Sequence, residues 1–390
     1  MQCLTLVIGI TKQMFEFGID TFIKEKRLIK ERIALLSNRN AINKKYECSL
    51  DILCDKYNLS ALFAPEHGFY GINEAGESVN KTIDLKTGLT IFSLYQDGKF
   101  DFTEEMLKTF DILIFDIQDL GLRFYTYIST LKIIIQTLAK AKKKLIILDR
   151  PLILGGNVIE GNILDEKSSS FVGPANLPIR YGLTIGELGL FFNKEQNLGC
   201  VIEIVKMKGW KRNLYFNELD RAWIKPSPAI TSFETAYLYC GTCLFEGTNL
   251  SEGRGTYNPF EIIGAPFIKA KVLSKDINNL KIEGIVTTPY IFKPHFDKYC
   301  NQVCEGIFLH ITNYKTFRPV TFALKTLNYL KENYPEFELE KKPTNVSHTK
   351  KLLGNNFEKD LNSLGIKKLL NNYKESLDIY KLEKKKYHLY

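Results

Sequence analysis

"DILIFDIQDLGLRFYTYISTLKIIIQTLAKAKKKLIILDRP", residues 111–151, holds two apolar runs with a helical stretch between them. Ile112–Phe115 is an unbroken apolar run between aspartates, the pattern of a strand buried on both faces. After a turn at Gly121, apolar residues recur at helical spacing from Thr126 until the lysines at 140–144. "LIIL" then repeats the buried-strand pattern and ends in Asp149 and Arg150. Two parallel strands joined by a helix are the unit of a wound sheet, because parallel neighbours need a long crossover.

Upstream the same alternation continues. "RIALLSN" (32–38) reads as a strand, "SLDILCDKYNL" (49–59) as a helix, "SALFAPEHG" (60–68) as a strand and "LTIFSLY" (89–95) as another. "FTEEMLKTF" (102–110) reads as a short helix with Thr103 as its N-cap. The expected fold class is α/β, a Rossmann-like doubly wound parallel sheet with helices on both faces. Ligands of such sheets sit beyond the carboxyl ends of the strands. Polar residues gather there: Asn38 after the first strand, Glu66 and His67 after the second, and Asp116, Gln118 and Asp119 after "LIF".

Composition narrows the classes. The 390 residues carry a formal net charge of +9, with lysine thickening near the C-terminus in "GIKKLLNNYK" and "YKLEKKKYHLY". That texture reads as a solvated basic helical tail, and no nucleic-acid motif accompanies it. No G-x-G-x-x-G turn or Walker loop follows the first strand, so no nucleotide cofactor is expected, and no G-x-S-x-G elbow offers a serine nucleophile. "CGTC" (240–243), read as part of a strand, and "CNQVC" (300–304) do not have the form of zinc knuckles, so no metal is expected. No run approaches the roughly 20 apolar residues of a membrane span. The first residues lack a basic segment and a cleavage signal, so either the protein is cytoplasmic or its true start lies upstream.

From about residue 200 the texture changes. "CVIEIVKMKGW" reads as a strand opening a second unit, and "SFETAYLYCGTCLFEGT" (232–248) as a helix running into a strand. "EGTNLSEGRGTYNPFEIIGAPF" (246–267) follows, a glycine-rich loop that embeds Glu246, Asn249, Glu252 and Arg254. We therefore expect one domain over residues 17–199 and a smaller α/β domain with terminal helices over 200–390.

The ionisable residues in loops define the chemistry open to the chain. Glu66 beside Phe63, Ala64 and Phe69 is placed where desolvation favours a protonated acid, whereas carboxylates near arginines stay ionised. Two carboxyls held in different protonation states are what glycoside hydrolysis uses. Structural roles stand beside each of these. Glu66 can cap its turn and His67 can support it. Asp116 and Asp119 can bind turn amides, Arg123 can pair an aspartate, Arg254 can stitch Glu246 to Glu252, and Glu160 can be a strand-end carboxylate. Tyr125 is a rim or core aromatic of the kind that also lines sugar sites.

"ALFAPEHGFYG", "DILIFDIQDLGLRFYTYISTL", "LDRPLILGGNVIEGNIL", "LPIRYGLTIGELGLFFN", "PSPAI" and "GTCLFEGTNLSEGRGTYNPFEIIGAPF" together resemble the bacterial exo-β-N-acetylmuramidases. These form glycoside hydrolase family 171, formerly catalogued as a domain of unknown function. The resemblance runs from about residue 17 to the C-terminus. It implies a Rossmann-like domain joined to a smaller α/β domain, with the site in the cleft between them. It also implies release of terminal N-acetylmuramic acid from non-reducing ends of peptidoglycan fragments, periplasmic or secreted location, and muropeptides or MurNAc-terminated disaccharides as partners.

Carried over, the resemblance marks Glu66 as the acid, with His67, Asp116 and Asp119 in the catalytic group. It places Gln118, Arg123, Tyr125, Glu246, Asn249, Glu252 and Arg254 in substrate binding, and the strand-end residues Asn38 and Glu160 are expected to join them. Tyr70 stands where the family motif usually carries arginine, and is expected to meet the substrate. The rival readings are a non-catalytic muropeptide-binding protein and a metal-dependent hydrolase built on His67 and the aspartates.

Overall fold

The two apolar runs of residues 111–151 lie side by side and parallel as the fifth and sixth strands of a seven-stranded sheet. The computed structural model describes residues 15–73, 81–96, 99–100, 102–339, 348–354 and 357–390. Its strands are β1 (Ile33–Ser37), β2 (Leu59–Ala64), β3 (Thr82–Ile83), β4 (Thr90–Ser93), β5 (Tyr95–Gln96), β6 (Lys99–Phe100), β7 (Ile112–Asp116), β8 (Lys144–Leu148), β9 (Val201–Val205), β10 (Ile262–Ala265), β11 (Ile285–Phe292) and β12 (Cys304–Ile311). Its helices are α1 (Gly18–Lys24), α2 (Ser49–Cys54), α3 (Glu104–Lys108), α4 (Tyr127–Ala141), α5 (Ile185–Glu195), α6 (Phe233–Thr242), α7 (Ala270–Asn279), α8 (Pro319–Asn333), α9 (His348–Leu353) and α10 (Phe357–Lys384).

The first sheet runs β3-β4-β2-β1-β7-β8-β9, every pairing parallel except that of β3 with β4. Every residue of β1 and of β7 is buried, which is why both read as unbroken apolar runs. The strand order reverses between β1 and β7, and there Ser37 Oγ donates to the Asp116 carbonyl at 2.8 Å. Thr103 caps α3 as its sequence predicts, accepting from the Met106 amide at 3.3 Å.

Three expectations change. The strand Val201–Val205, read as the opening of the second unit, pairs in parallel with β8 and forms the edge of the first sheet. The crossover through α5 returns the chain to the open side of β8, where another parallel strand is accommodated. Residues Cys243–Gly247, read as a strand, continue α6 as a 3-10 turn. Leu244 and Phe245 are fully buried there, so their apolar character reflects core packing, and Thr248 ends the turn by donating to the Phe245 carbonyl at 2.8 Å. The lysine-rich end is only partly solvated. Lys385 and Lys386 are exposed, but Lys384 is buried and donates to the Gly156 and Gly182 carbonyls at 2.8 and 3.0 Å.

The second sheet is antiparallel, in the order β10-β12-β11. Helices α6 and α8 cross beside it at Gly241, where a β-carbon would stand 2.2 Å from the Pro319 carbonyl oxygen. Only glycine allows that approach. The last helix spans both units, with a left-handed break at Gly365 (φ 71°). Beyond it the Tyr390 hydroxyl donates to Asp149 at the end of β8, at 2.7 Å. Residues 1–14, read for an export signal, lie outside the described residues, among which no helix is long and apolar enough to cross a membrane.

Candidate active site

A cavity of about 180 Å³ opens between the strand-end loops of the first sheet and the glycine-rich loop of the second unit. Glu66, His67, Phe124, Tyr125 and Thr126 line it from one side, and Tyr239, Cys243, Glu246, Arg254 and Phe260 from the other. Val172, the segment Ser227–Ile230 and Leu352 of α9 complete the wall.

Glu66 and His67 arrive where the chain leaves β2. His67 and Gly68 both adopt left-handed conformations, φ 70° and 75°, and reverse the chain. For a non-glycine residue this conformation carries a cost, which places His67 under local constraint. Its Nδ1 lies 2.9 Å from the Asn73 carbonyl. A carbonyl only accepts, so the proton is on Nδ1 and the ring is held in one tautomer. Glu66 is buried, and the Thr126 hydroxyl donates to its Oε2.

Across the cavity, Arg254 Nε donates to Glu246 Oε1 at 2.9 Å and stands 3.7 Å from Glu252. Its guanidinium lies over the Phe260 ring, 4.9 Å from the centroid. Phe260 meets Tyr239 edge-on at 4.6 Å, and Tyr239 meets Phe124 at 5.4 Å. These contacts run as an aromatic floor from one unit to the other. Lys298 supports the loop from behind. Its ammonium donates to the carbonyls of Phe245, Glu246 and Leu250 at 2.9–3.1 Å and to Glu252 Oε2 at 3.1 Å. Burial raises the Glu252 carboxyl above its ordinary range, against the lowering effect of Lys298.

Of the residues expected from sequence, the cavity brings together Glu66, His67, Tyr125, Glu246 and Arg254. Asp116 and Asp119 do not line it. Asp116 is fully buried and accepts from Arg150 Nε and Nη2 at 2.5 and 3.0 Å. Asp119 accepts from the Gly121 amide at 2.6 Å and from the Tyr181 hydroxyl, and burial pushes its carboxyl up to about 6. Gln118 donates to the Asp119 and Pro151 carbonyls, both at 2.8 Å.

Arg123 is fully buried and directs its Nη donors mainly at backbone carbonyls. Nη1 donates to the Asn162 and Leu177 carbonyls, each at 2.6 Å, and Nη2 to the Leu352 carbonyl at 2.8 Å. Asn38 donates to the Tyr127 hydroxyl at 3.2 Å, and that hydroxyl donates to the Pro226 carbonyl at 2.8 Å, which anchors the wall segment. Glu160 pairs with Arg180 at 3.1 Å and accepts from the Val320 amide at the start of α8, so it joins the two units. Asn249 ties its loop to residues 336–338. Glu252 stands behind Arg254. Tyr70 is half-exposed, donates to Asp84 at 2.5 Å and packs edge-on against Phe69, away from the cavity lining.

The sequence reading did not single out Thr126, Tyr239 or Phe260, and weighed Cys243 only as a zinc ligand to set it aside. Thr126 read only as the start of a helix. Tyr239 and Cys243 are four residues apart, on one face of the α6 turn, a pairing hidden once Cys243 was read in a strand. Among the described residues, no group of three or more His, Cys, Asp or Glu side chains is arranged to hold a metal ion.

Comparison with known proteins finds two family matches along the chain. Residues 33–234 match the family described as Exo-beta-N-acetylmuramidase NamZ, N-terminal, and residues 237–390 match its C-terminal counterpart. The chain is 40% identical over 386 residues to the peptidoglycan beta-N-acetylmuramidase NamZ of Bacillus subtilis (strain 168), covering 97% of this chain and 92% of that protein. Two crystal structures of DUF1343 family proteins from Bacteroides fragilis share the fold. One has a TM-score of 0.87 at 29% identity and the other 0.76 at 30%, each alignment covering 96% of this chain and 99% of theirs.

Proposed function

The chain belongs to the exo-beta-N-acetylmuramidase NamZ family, and from that premise we propose that its cavity takes a terminal N-acetylmuramic acid and hydrolyses the glycosidic bond behind it. The observation that carries this reading is the pair of carboxyl groups, Glu66 and Glu246, contributed by different units to one cavity with aromatic walls. A glycosidase of ordinary mechanism needs one carboxyl to protonate the leaving oxygen and another to serve the opposite face of the sugar ring. Glu66, nearly enclosed beside Thr126, takes the first role, and Glu246, held on Arg254, the second. The apolar faces of a sugar ring suit Phe124, Tyr125, Tyr239 and Phe260.

N-acetylmuramic acid carries an anionic lactyl ether, and Arg254 is the guanidinium that borders the cavity. The substrates are then non-reducing ends of peptidoglycan fragments, muropeptides or MurNAc-terminated disaccharides, met in the periplasm or outside the cell. Turnover of a chromogenic N-acetylmuramide tests the proposal. The wild-type protein releases the chromophore, and Glu66→Gln, which keeps the shape but has no proton to give, loses about 10²- to 10⁴-fold in kcat. Activity retained by Glu66→Gln overturns the assignment of the acid, and a wild-type protein that binds the muramide without turnover overturns the enzyme.

A further inference from the structure

Thr126 occupies the N-cap of the 15-residue helix α4, yet its hydroxyl makes no capping bond. At the Ser and Thr caps of the α-helices α3, α5 and α6 the oxygen does accept from the first turn. Thr184 accepts from the Glu187 amide at 3.2 Å and Ser232 from the Thr235 amide at 3.0 Å. In α4 the backbone of Thr126 is itself helical (φ −63°, ψ −12°), unlike the extended backbone of those caps, so its hydroxyl is turned to another partner. It crosses to the loop after β2 and donates to Glu66 Oε2 inside the cavity that both residues line. The one proton of the Thr126 hydroxyl thus goes to the carboxyl proposed above as the acid.

We infer that Thr126 is a positioning residue that selects which oxygen of Glu66 carries the transferable proton. The inference rests on the reading of Glu66 as the acid. A hydroxyl has one proton to donate. With that proton directed at Oε2, the proton of the neutral Glu66 carboxyl belongs on Oε1, and the carboxyl plane is fixed. As the glycosidic C–O bond breaks, its electron pair goes to the leaving oxygen, and the Oε1 proton moves to that oxygen. Glu66 becomes a carboxylate, and the Thr126 bond becomes charge-assisted while the charge develops, so it is stronger in the transition state than in the ground state. Water then supplies hydroxyl to the sugar carbon, and its proton restores the carboxyl.

The test compares Thr126→Val, which keeps the shape and removes the donor, with Thr126→Ser, which keeps the donor. On a chromogenic muramide, Thr126→Val is expected to lower kcat roughly 10- to 100-fold with little change in KM. The alkaline limb of its pH–kcat profile moves to higher pH, because a donor to the charged form of an acid favours that form and its loss does the reverse. Thr126→Ser restores both. In a Glu66→Gln background, Thr126→Val costs nothing further, as expected of residues that act as a unit. An unmoved limb with wild-type kcat in Thr126→Val overturns the inference, as does a Thr126→Ser variant as impaired as Thr126→Val. These outcomes are separable from the parent reading. Full activity in Glu66→Gln removes the acid itself, whereas an inactive Glu66→Gln beside a normal Thr126→Val removes only the role of Thr126.

Discussion

Arg123 holds the Leu352 carbonyl at 2.8 Å across 229 positions of sequence, so a guanidinium of the first unit fixes a wall of the cavity that is built from the last third of the chain. Burial lowers this guanidinium to about 9, and three backbone carbonyls share its donors. Arg123→Met keeps the length of the side chain and leaves those carbonyls unpaired. The loss is on the order of 3 kcal/mol of stability, by the cost of buried groups left unsatisfied. Urea unfolding checks it. An unchanged midpoint together with a raised KM for muramide would return Arg123 to the substrate.

Arg254 stands between two roles, border of the cavity and partner of Glu246. Removal of a charge-assisted contact to the lactyl carboxylate corresponds to about tenfold in discrimination. Arg254→Ala is therefore expected to lower the kcat/KM ratio of muramide to glucosaminide by about that factor, beyond its effect on both substrates. Equal losses on the two substrates would assign the arginine to loop organisation alone.

Lys298 sits behind the loop as a partly buried cation with four oxygen partners. Lys298→Met strips Glu252 of its ammonium and leaves that carboxylate buried, at a cost of about 3 kcal/mol. Thermal unfolding should show a lower Tm, and kcat should fall because Glu246 and Arg254 lose their support. Partial recovery of kcat in Lys298→Ala with added ammonium or methylammonium would identify the lost group as the cation itself. A variant with unchanged Tm and kcat contradicts the support role.

Lys384 predicts a pH dependence of stability. Burial pulls its ammonium down to about 7, with Arg212 acting in the same direction. Between pH 7 and about 10 the unfolded chain holds a proton that the folded chain has released, so stability rises with pH through this window. Asp119 acts in the opposite sense in acid. Burial raises it to about 6, so between about pH 4 and 6 the folded chain holds the extra proton and stability falls as pH rises. Urea midpoints from pH 7 to 9.5 should climb in the wild-type protein and flatten in Lys384→Met. Parallel curves for the two would refute the assignment.

The central sheet was legible because burial on both faces leaves no polar alternation to confuse, as in β7 and β8. Positions of the polar strand ends were legible too, but their roles were not. Asp116 and Glu66 look alike in sequence, each a carboxylate at the end of an apolar run. Asp116 is taken by Arg150, which comes from the end of another strand, while Glu66 meets Thr126 and the cavity. Which of the two faces substrate depends on partners brought in by the crossover. Glu246 and Arg254 were legible because their glycines mark a loop that must turn tightly. Gly253 (φ 86°) leaves its position for a β-carbon only 2.4 Å from the Asn258 carbonyl oxygen. The Cys243–Gly247 turn was misread because a short apolar run such as Cys243–Phe245 fits a strand or a buried turn equally well.

The contact of Tyr390 with Asp149 bears on the order in which this chain can be made. Asp149 closes β8 and also accepts from the Thr184 hydroxyl and the Gly186 amide, so it organises the start of α5. A ribosome delivers β8 and α5 some two hundred residues before it delivers their last hydrogen-bond donor. The amino-terminal sheet can assemble during synthesis, as domains generally do, but its strand-end network stays open until residue 390 has left the exit tunnel. Completion of the first unit thus waits on the synthesis of the whole second unit.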